Sequence, residues 1–189
     1  IPGDPDNTGW FYFSGGRECH TAGVCGVNKG TIDGCANYLD VSGINVVGGI
    51  AAYNEGTVIN CLNYNRVMGS SDNSYVGGMV GKQDGGRVYN CANYGEVLVD
   101  YYTGTSAGIV GCSNGGEVSA CFVGGTVSGH DPHTVVGKNN GATVTKNYYE
   151  IKDGLPADNN AEGIEKALID SGYAVSLLRD ASKNIEDAR

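Results

Sequence analysis

Gly49–Val67, GIAAYNEGTVINCLNYNRV, decides the fold, because near copies of it stand on both sides. Upstream, Gly23–Val41 reads GVCGVNKGTIDGCANYLDV. Downstream follow GMVGKQDGGRVYNCANYGEV (78–97), GIVGCSNGGEVSACFVGGTV (108–127) and a degraded VVGKNNGATVTKNYYE (135–150). Anchored on Cys35, Cys61, Cys91, Cys121 and Asn147, the copies advance in steps of 26, 30, 30 and 26 residues. Periods in that range mark solenoids, in which each copy buries its apolar face on the next.

Three columns of β-branched and aliphatic residues come into register when the copies are aligned. They are Val24, Ile50, Met79, Ile109 and Val135; Ile32, Val58, Val88, Val118 and Val144; and Val41, Val67, Val97 and Val127. Helical repeats would need apolar residues at 3.6 spacing with no interior glycine, so strands are expected. The fold predicted is an all-β parallel β-helix (β-solenoid) of about five coils, with three strand-like pieces per coil, the first over residues 47–52. Each buried Val or Ile contributes roughly 1.5–3 kcal/mol before entropy is subtracted, enough over three columns to hold the fold without disulfides. Corners are read at Asn28-Lys29-Gly30, Asn54-Glu55-Gly56, Asp84-Gly85-Gly86, Asn114-Gly115-Gly116 and Asn140-Gly141, whose residue types tolerate positive φ. Segments 70–74, 100–105 and 129–133 vary most and are read as crossings between coils, the side on which solenoids often bind.

Three parts follow: residues 1–22 as an N-terminal cap, 23–150 as the repeats, and 151–189 as a linker with a helical tail. Trp10, Phe11, Tyr12 and Phe13 suit a cover for the first coil, against an alternative as an aromatic patch for a partner. The array is expected to end at 146–150. Residues 152–160 read as a turn-rich linker, and 161–171 as a helix with Ile164, Leu168 and Ile169 on one side and Gly172 as its stop. A second short helix is placed over 173–181, with the tail lying on the last coil or along the flank. The chain starts at Ile1 without Met, which reads as a mature or trimmed piece of something larger.

Of 189 residues, 21 are acidic and 12 basic, a formal net charge of −9. Nucleic-acid binding needs clustered Lys and Arg, so none is expected. No apolar run of about 18 residues occurs, so no membrane insertion is expected in this segment.

Of the seven cysteines, Cys35, Cys61, Cys91 and Cys121 share one repeat position. Stacked about 4.8 Å apart with parallel Cβ vectors, they have poor disulfide geometry and read as an internal ladder of small hydrophobes. Pairing among Cys19, Cys25 and Cys112 is left open. The pairs Asn37-Tyr38, Asn63-Tyr64 and Asn93-Tyr94 put three tyrosines in a row with amide neighbours. Two readings compete: a platform for sugar rings, and a structural ladder in which the amides bond one another and the rings stack. Tyr53, Tyr75, Tyr101 and Tyr102 would extend the aromatic surface on the crossing side.

Neither a metal nor another cofactor is expected. His130, Asp131 and His133 are spaced for a metal but equally suit an ordinary loop, and His20 stands apart in sequence. No histidine lies in the repeat columns to serve a nucleophile. Asp33, Glu55, Asp84, Glu96, Asp100 and Glu117 fall in different columns, short of the paired carboxylates that a β-helix glycosidase or lyase would need.

The aligned copies, most fully Gly77-Gly78-Met79-Val80-Gly81 with Tyr89-Asn90-Cys91-Ala92-Asn93-Tyr94-Gly95 and Val97, resemble the GLUG motif of bacterial cell-surface proteins over residues 23–150. That family occurs in secreted or wall-attached proteins, including adhesin-like molecules and noncatalytic regions of some immunoglobulin A peptidases. The resemblance implies an extracellular, noncatalytic spacer or adhesive module within a larger surface protein, with a glycan or host surface protein as partner. It brings no catalytic residues, and the H-E-x-x-H of the family's peptidase domains is absent here. The alternative is a carbohydrate-active β-helix enzyme, which rests on fold analogy alone.

Overall fold

The computed structural model describes residues 19–183. The aromatic segment Trp10–Phe13, read as a cap, lies outside them. What is described is a parallel β-solenoid of about five coils followed by two short helices. Each full coil carries five short strands instead of the three expected. In the second coil they are Val46–Gly48, Ala51–Asn54, Thr57–Ile59, Leu62–Asn63 and Val67–Gly69, called here the first to fifth faces. Every strand pairs in parallel with its counterpart one coil away, for example Val67 with both Val41 and Val97. Backbone N–H and C=O groups, which no strand can satisfy by itself, are thus satisfied by neighbouring coils.

The piece read as one strand over 47–52 is broken at Gly49-Ile50, where the chain turns from the first face to the second. Glycine is required there because coils approach closely. A Cβ on Gly78 would sit 2.2 Å from Gly108 O and 2.5 Å from the Asn93 amide, and one on Gly49 would meet Gly78 O and Asn63 in the same way. The three aliphatic columns are in register as expected. Their central members are fully buried, while Val24 of the first coil is 45% exposed. The interior of the coils holds two apolar clusters. Ile50, Met79 and Ile109 join Val58, Val88 and Val118 in one cluster, and Val47 and Val76 join Val41, Val67 and Val97 in the other.

Segments 70–74, 100–105 and 129–133 are only partly crossings. Ser74–Gly77, Gly104–Ala107 and Asp131–His133 are first-face strands, and only the residues before them turn. The corner after the second face also differs from the sequence alignment. Asn54 pairs with Gln83, not Asp84, and Gln83 with Ser113. From the third coil onward one residue is inserted at this corner, and Gly85, Gly115 and Gly141 take positive φ there. Asn28 and Asn54 do not; both are buried, and Asn28 Nδ2 donates to Asn54 Oδ1 at 2.8 Å.

The array does not stop at residue 150. Ala161–Ile164, expected to be helical, is a strand that extends the fourth face to six strands by pairing with Asn147–Glu150. Between them, Gly154 O accepts from Val127 N and Leu155 packs against both core clusters, so the last turn cuts across the open end. Helix α1 (Lys166–Asp170) and helix α2 (Tyr173–Lys183) follow, with Gly172 at φ +85 between them. Ala174 and Ala181 of α2 pack on Ala92, Phe122 and Tyr148 of the fourth face, so of the two positions expected for the tail it takes the flank. Among the described residues no helix is long and apolar enough to cross a membrane.

A left-handed residue precedes each ladder cysteine or its equivalent: Gly34, Asn60, Asn90, Ala120 and Lys146, at φ between 51 and 67. Lys146 is exposed, so its backbone is strained with no packing to offset it. Lys146→Gly is expected to raise unfolding stability by about 1 kcal/mol, read as a higher urea midpoint at unchanged m-value.

Candidate functional site

The fourth face and the corners on either side of it carry the thiol ladder, just before the strand, and the Asn-Tyr pairs, at its end and just after. Cys61, Cys91 and Cys121 are buried in the first core cluster, and Cys35 lies half-buried against it in the first coil. Each Sγ is satisfied locally, as in Cys61 Sγ donating to Ile59 O at 3.1 Å and Cys91 Sγ to Tyr89 O at 3.3 Å. Asn147 ends the ladder, its Oδ1 accepting from Cys121 N and its Nδ2 donating to Val118 O, both at 3.0 Å. All seven cysteines are free thiols, including Cys19, Cys25 and Cys112. Hydrogen bonding to Cys91, then burial, pushes the Cys61 thiol well up; burial foremost pushes Cys91 well up and raises Cys35.

The asparagines proposed with the tyrosines as binding groups belong to the interior. Asn37, Asn63 and Asn93 are 5%, 0% and 0% exposed. Asn37 Nδ2 donates to Asn63 Oδ1 and Asn63 Nδ2 to Asn93 Oδ1, each at 2.8 Å; the same nitrogens hold Leu39 O and Asn65 O. Their amides fill the slots left by Gly23, Gly49 and Gly78, so no ligand reaches them. Burial of an amide is tolerable only when its donors and acceptors are met, and this ladder meets them.

The tyrosines point the other way. Tyr38, Tyr64 and Tyr94 are 65%, 40% and 48% exposed. Their rings stack on one another, Tyr38 on Tyr64 at 5.0 Å and 7°, Tyr64 on Tyr94 at 5.6 Å and 12°. Stacking covers the ring faces with neighbouring rings, so the row offers edges and phenols more than the open faces the sequence suggested. Gly124 holds the next place in the column, and Phe122 tilts against Tyr94 at 5.9 Å to close that end. Burial and the neighbouring Tyr64 raise the Tyr94 phenol pKa.

Tyr53 stacks with His20 at 5.4 Å and donates to Asp84. Tyr75 lies on a first-face strand, and Tyr101 and Tyr102 on the corner at 100–103. His133 Nε2 lies 3.1 Å from Asp131 Oδ1. Among the described residues no group of three or more His, Cys, Asp or Glu side chains is placed to hold a metal. Four of the acidic residues considered for catalysis are engaged separately: Asp33 by Asn60, Glu55 by Lys29, Asp84 by Tyr53, and Glu117 by Arg87 and Ser119.

Sequence reasoning missed the interior ladder continued by Gln83. Its amide donates to Ser113 Oγ at 3.2 Å, and the signal was the polar residue one place before the aligned Asp84. Comparison with protein-family models, with curated proteins and with solved structures finds no match in any of the three.

Asn63→Ala is expected to cost about 2–4 kcal/mol in urea unfolding, because Asn37 and Asn93 each lose a buried partner, whereas Tyr64→Ala costs under about 1.5 kcal/mol. Raised thiol pKa values also set a pH dependence. Folded thiols keep their protons while unfolded ones ionise, so stability is level below about pH 8 and falls as pH rises past about 9. A urea midpoint unchanged between pH 8 and 10 would contradict this.

Proposed function

We propose that this chain is a noncatalytic repeat module of a bacterial surface protein, of the GLUG-repeat kind, working outside the cell as a spacer or adhesive segment. The observation that carries it is the exposed Tyr38–Tyr64–Tyr94 stack, held in line by a buried asparagine ladder along a rod of stacked coils. A row of phenols and ring edges along the axis suits an extended partner, either a glycan chain or a host surface-protein segment. The motif residues that carry the resemblance have structural duties: glycines clear the asparagine slots, cysteines fill the core, and asparagines bond coil to coil. Such duties account for their repetition without chemistry. Buried thiols with raised pKa values are poor nucleophiles, which favours persistence in an oxidising exterior.

A glycan and matrix-protein array with wild type beside Tyr38/Tyr64/Tyr94→Ala tests the reading. Loss of wild-type binding in the variant is expected of an adhesive row, and equal binding by both would remove the row from the function. Binding by neither protein would leave the spacer role alone.

A further inference from the structure

The corner from the fifth face to the first changes length along the rod. It holds two residues at 44–45 and 129–130 but four at 70–73 and 100–103. The two long corners brace one another: Asn73 N donates to Thr103 O, and Thr103 Oγ1 donates to Asp72 Oδ1 at 3.1 Å. Where the long corner 100–103 gives way to the short corner 129–130, the surface drops into a groove. Val99, Asp100, Tyr101, Tyr102, Gly129 and His130 line it.

The drop is built into the backbone. Gly129 has φ +127, and a Cβ on it would lie 2.7 Å from Val99 O, so the short corner stays pressed against the coil beneath. On the high side, Tyr102 is 88% and Tyr101 48% exposed, and neither ring belongs to an apolar cluster of the core. Two aromatic rings held in solvent beside a carboxylate and an imidazole match the demands of a saccharide. Its C–H face packs on an aromatic ring, and its hydroxyls need donors and acceptors at the rim. A net charge of −9, with Asp72, Asp100 and Asp131 on or beside these corners, repels sulfated or uronic chains.

We propose that this groove is a subsite for a neutral pyranose unit, with Tyr102 as its stacking face and Asp100 and His130 as hydrogen-bonding groups for ring hydroxyls. The inference rests on the adhesive reading above but puts the contact on different residues, so the two can fail separately.

The test is a calorimetric and saturation-transfer NMR titration of the whole chain with maltotetraose, cellotetraose, mannotetraose and chitotetraose, and with heparin as the charged control. At least one neutral tetrasaccharide is expected to bind in the millimolar range or tighter. Tyr102→Ala, at a position too exposed to affect folding, is expected to weaken it at least about 10-fold, while Tyr38/Tyr64/Tyr94→Ala leaves it unchanged. Failure of all four sugars to bind, binding of heparin alone, or equal affinity in wild type and Tyr102→Ala would each overturn the subsite. Binding that survives Tyr102→Ala and disappears in the triple variant would overturn the groove and uphold the tyrosine row.

Discussion

Parallel pairing of each strand with its own counterpart a coil away is the constraint on which the rest of the molecule depends. At a spacing of about 4.8 Å every side chain must tolerate a near copy of itself directly above and below. Valine, cysteine, asparagine and tyrosine meet that demand in four different ways. Valines share a dry interior, and thiols pack as compact spheres that bond their own strand. Asparagines donate one amide to the next, and tyrosines stack. Charged residues meet it poorly and pair only where the sign alternates, as Arg87 with Glu117 and Lys29 with Glu55.

Polar groups inside the rod follow from the same rule. A lone buried asparagine would lose hydrogen bonds to water without replacement. A column of them replaces those bonds within itself and also ties down carbonyls at the corner, such as Asn65 O and Gly95 O. The glycine column beside it is the steric counterpart, since any side chain there would occupy the amide's space. Where the asparagine column ends, Val123 takes its place and packs into the apolar cluster. The interior thus changes from polar to apolar at one rung without changing the backbone path.

Much of this was legible in the sequence, because columns leave a period that survives divergence. The β-solenoid, the three aliphatic columns and the inward cysteines could be read from the fixed spacing of residues such as Val41, Val58, Val67, Val88, Cys61 and Cys91, and a helical tail from the pattern after residue 160. The number of faces could not. Strands as short as Leu62–Asn63 and Ala92–Asn93 give alternation no length in which to show. The helix expected over 161–171 was lost at its start because Ala161 packs against the interior cluster and Ile164 joins the flank cluster under α2, burial that a strand on the fourth face provides and a short amphipathic helix would not. The one-residue insertion that puts Gln83 opposite Asn54 leaves no mark in residue type, because Asp, Asn and Gly all suit a corner. At the candidate site, sequence put Asn and Tyr side by side but not on opposite sides of the wall. It also gave the tyrosine spacing without the consequence that stacked rings cover one another's faces.

The shortened last turn decides how the rod can meet another copy of itself. A blunt solenoid end is a template, five parallel edges in one plane onto which a second molecule could polymerise. Here Ala161–Ile164 pairs with a strand only fourteen residues back, Ala161 opposite Asn147, and Leu155 closes the middle. The second and third faces still finish on Val136–Asn139 and Thr143–Thr145, but the fourth already carries a further strand. An incoming molecule would find the edges at different heights, the fourth one strand beyond the second and third, and could not pair with all five at once.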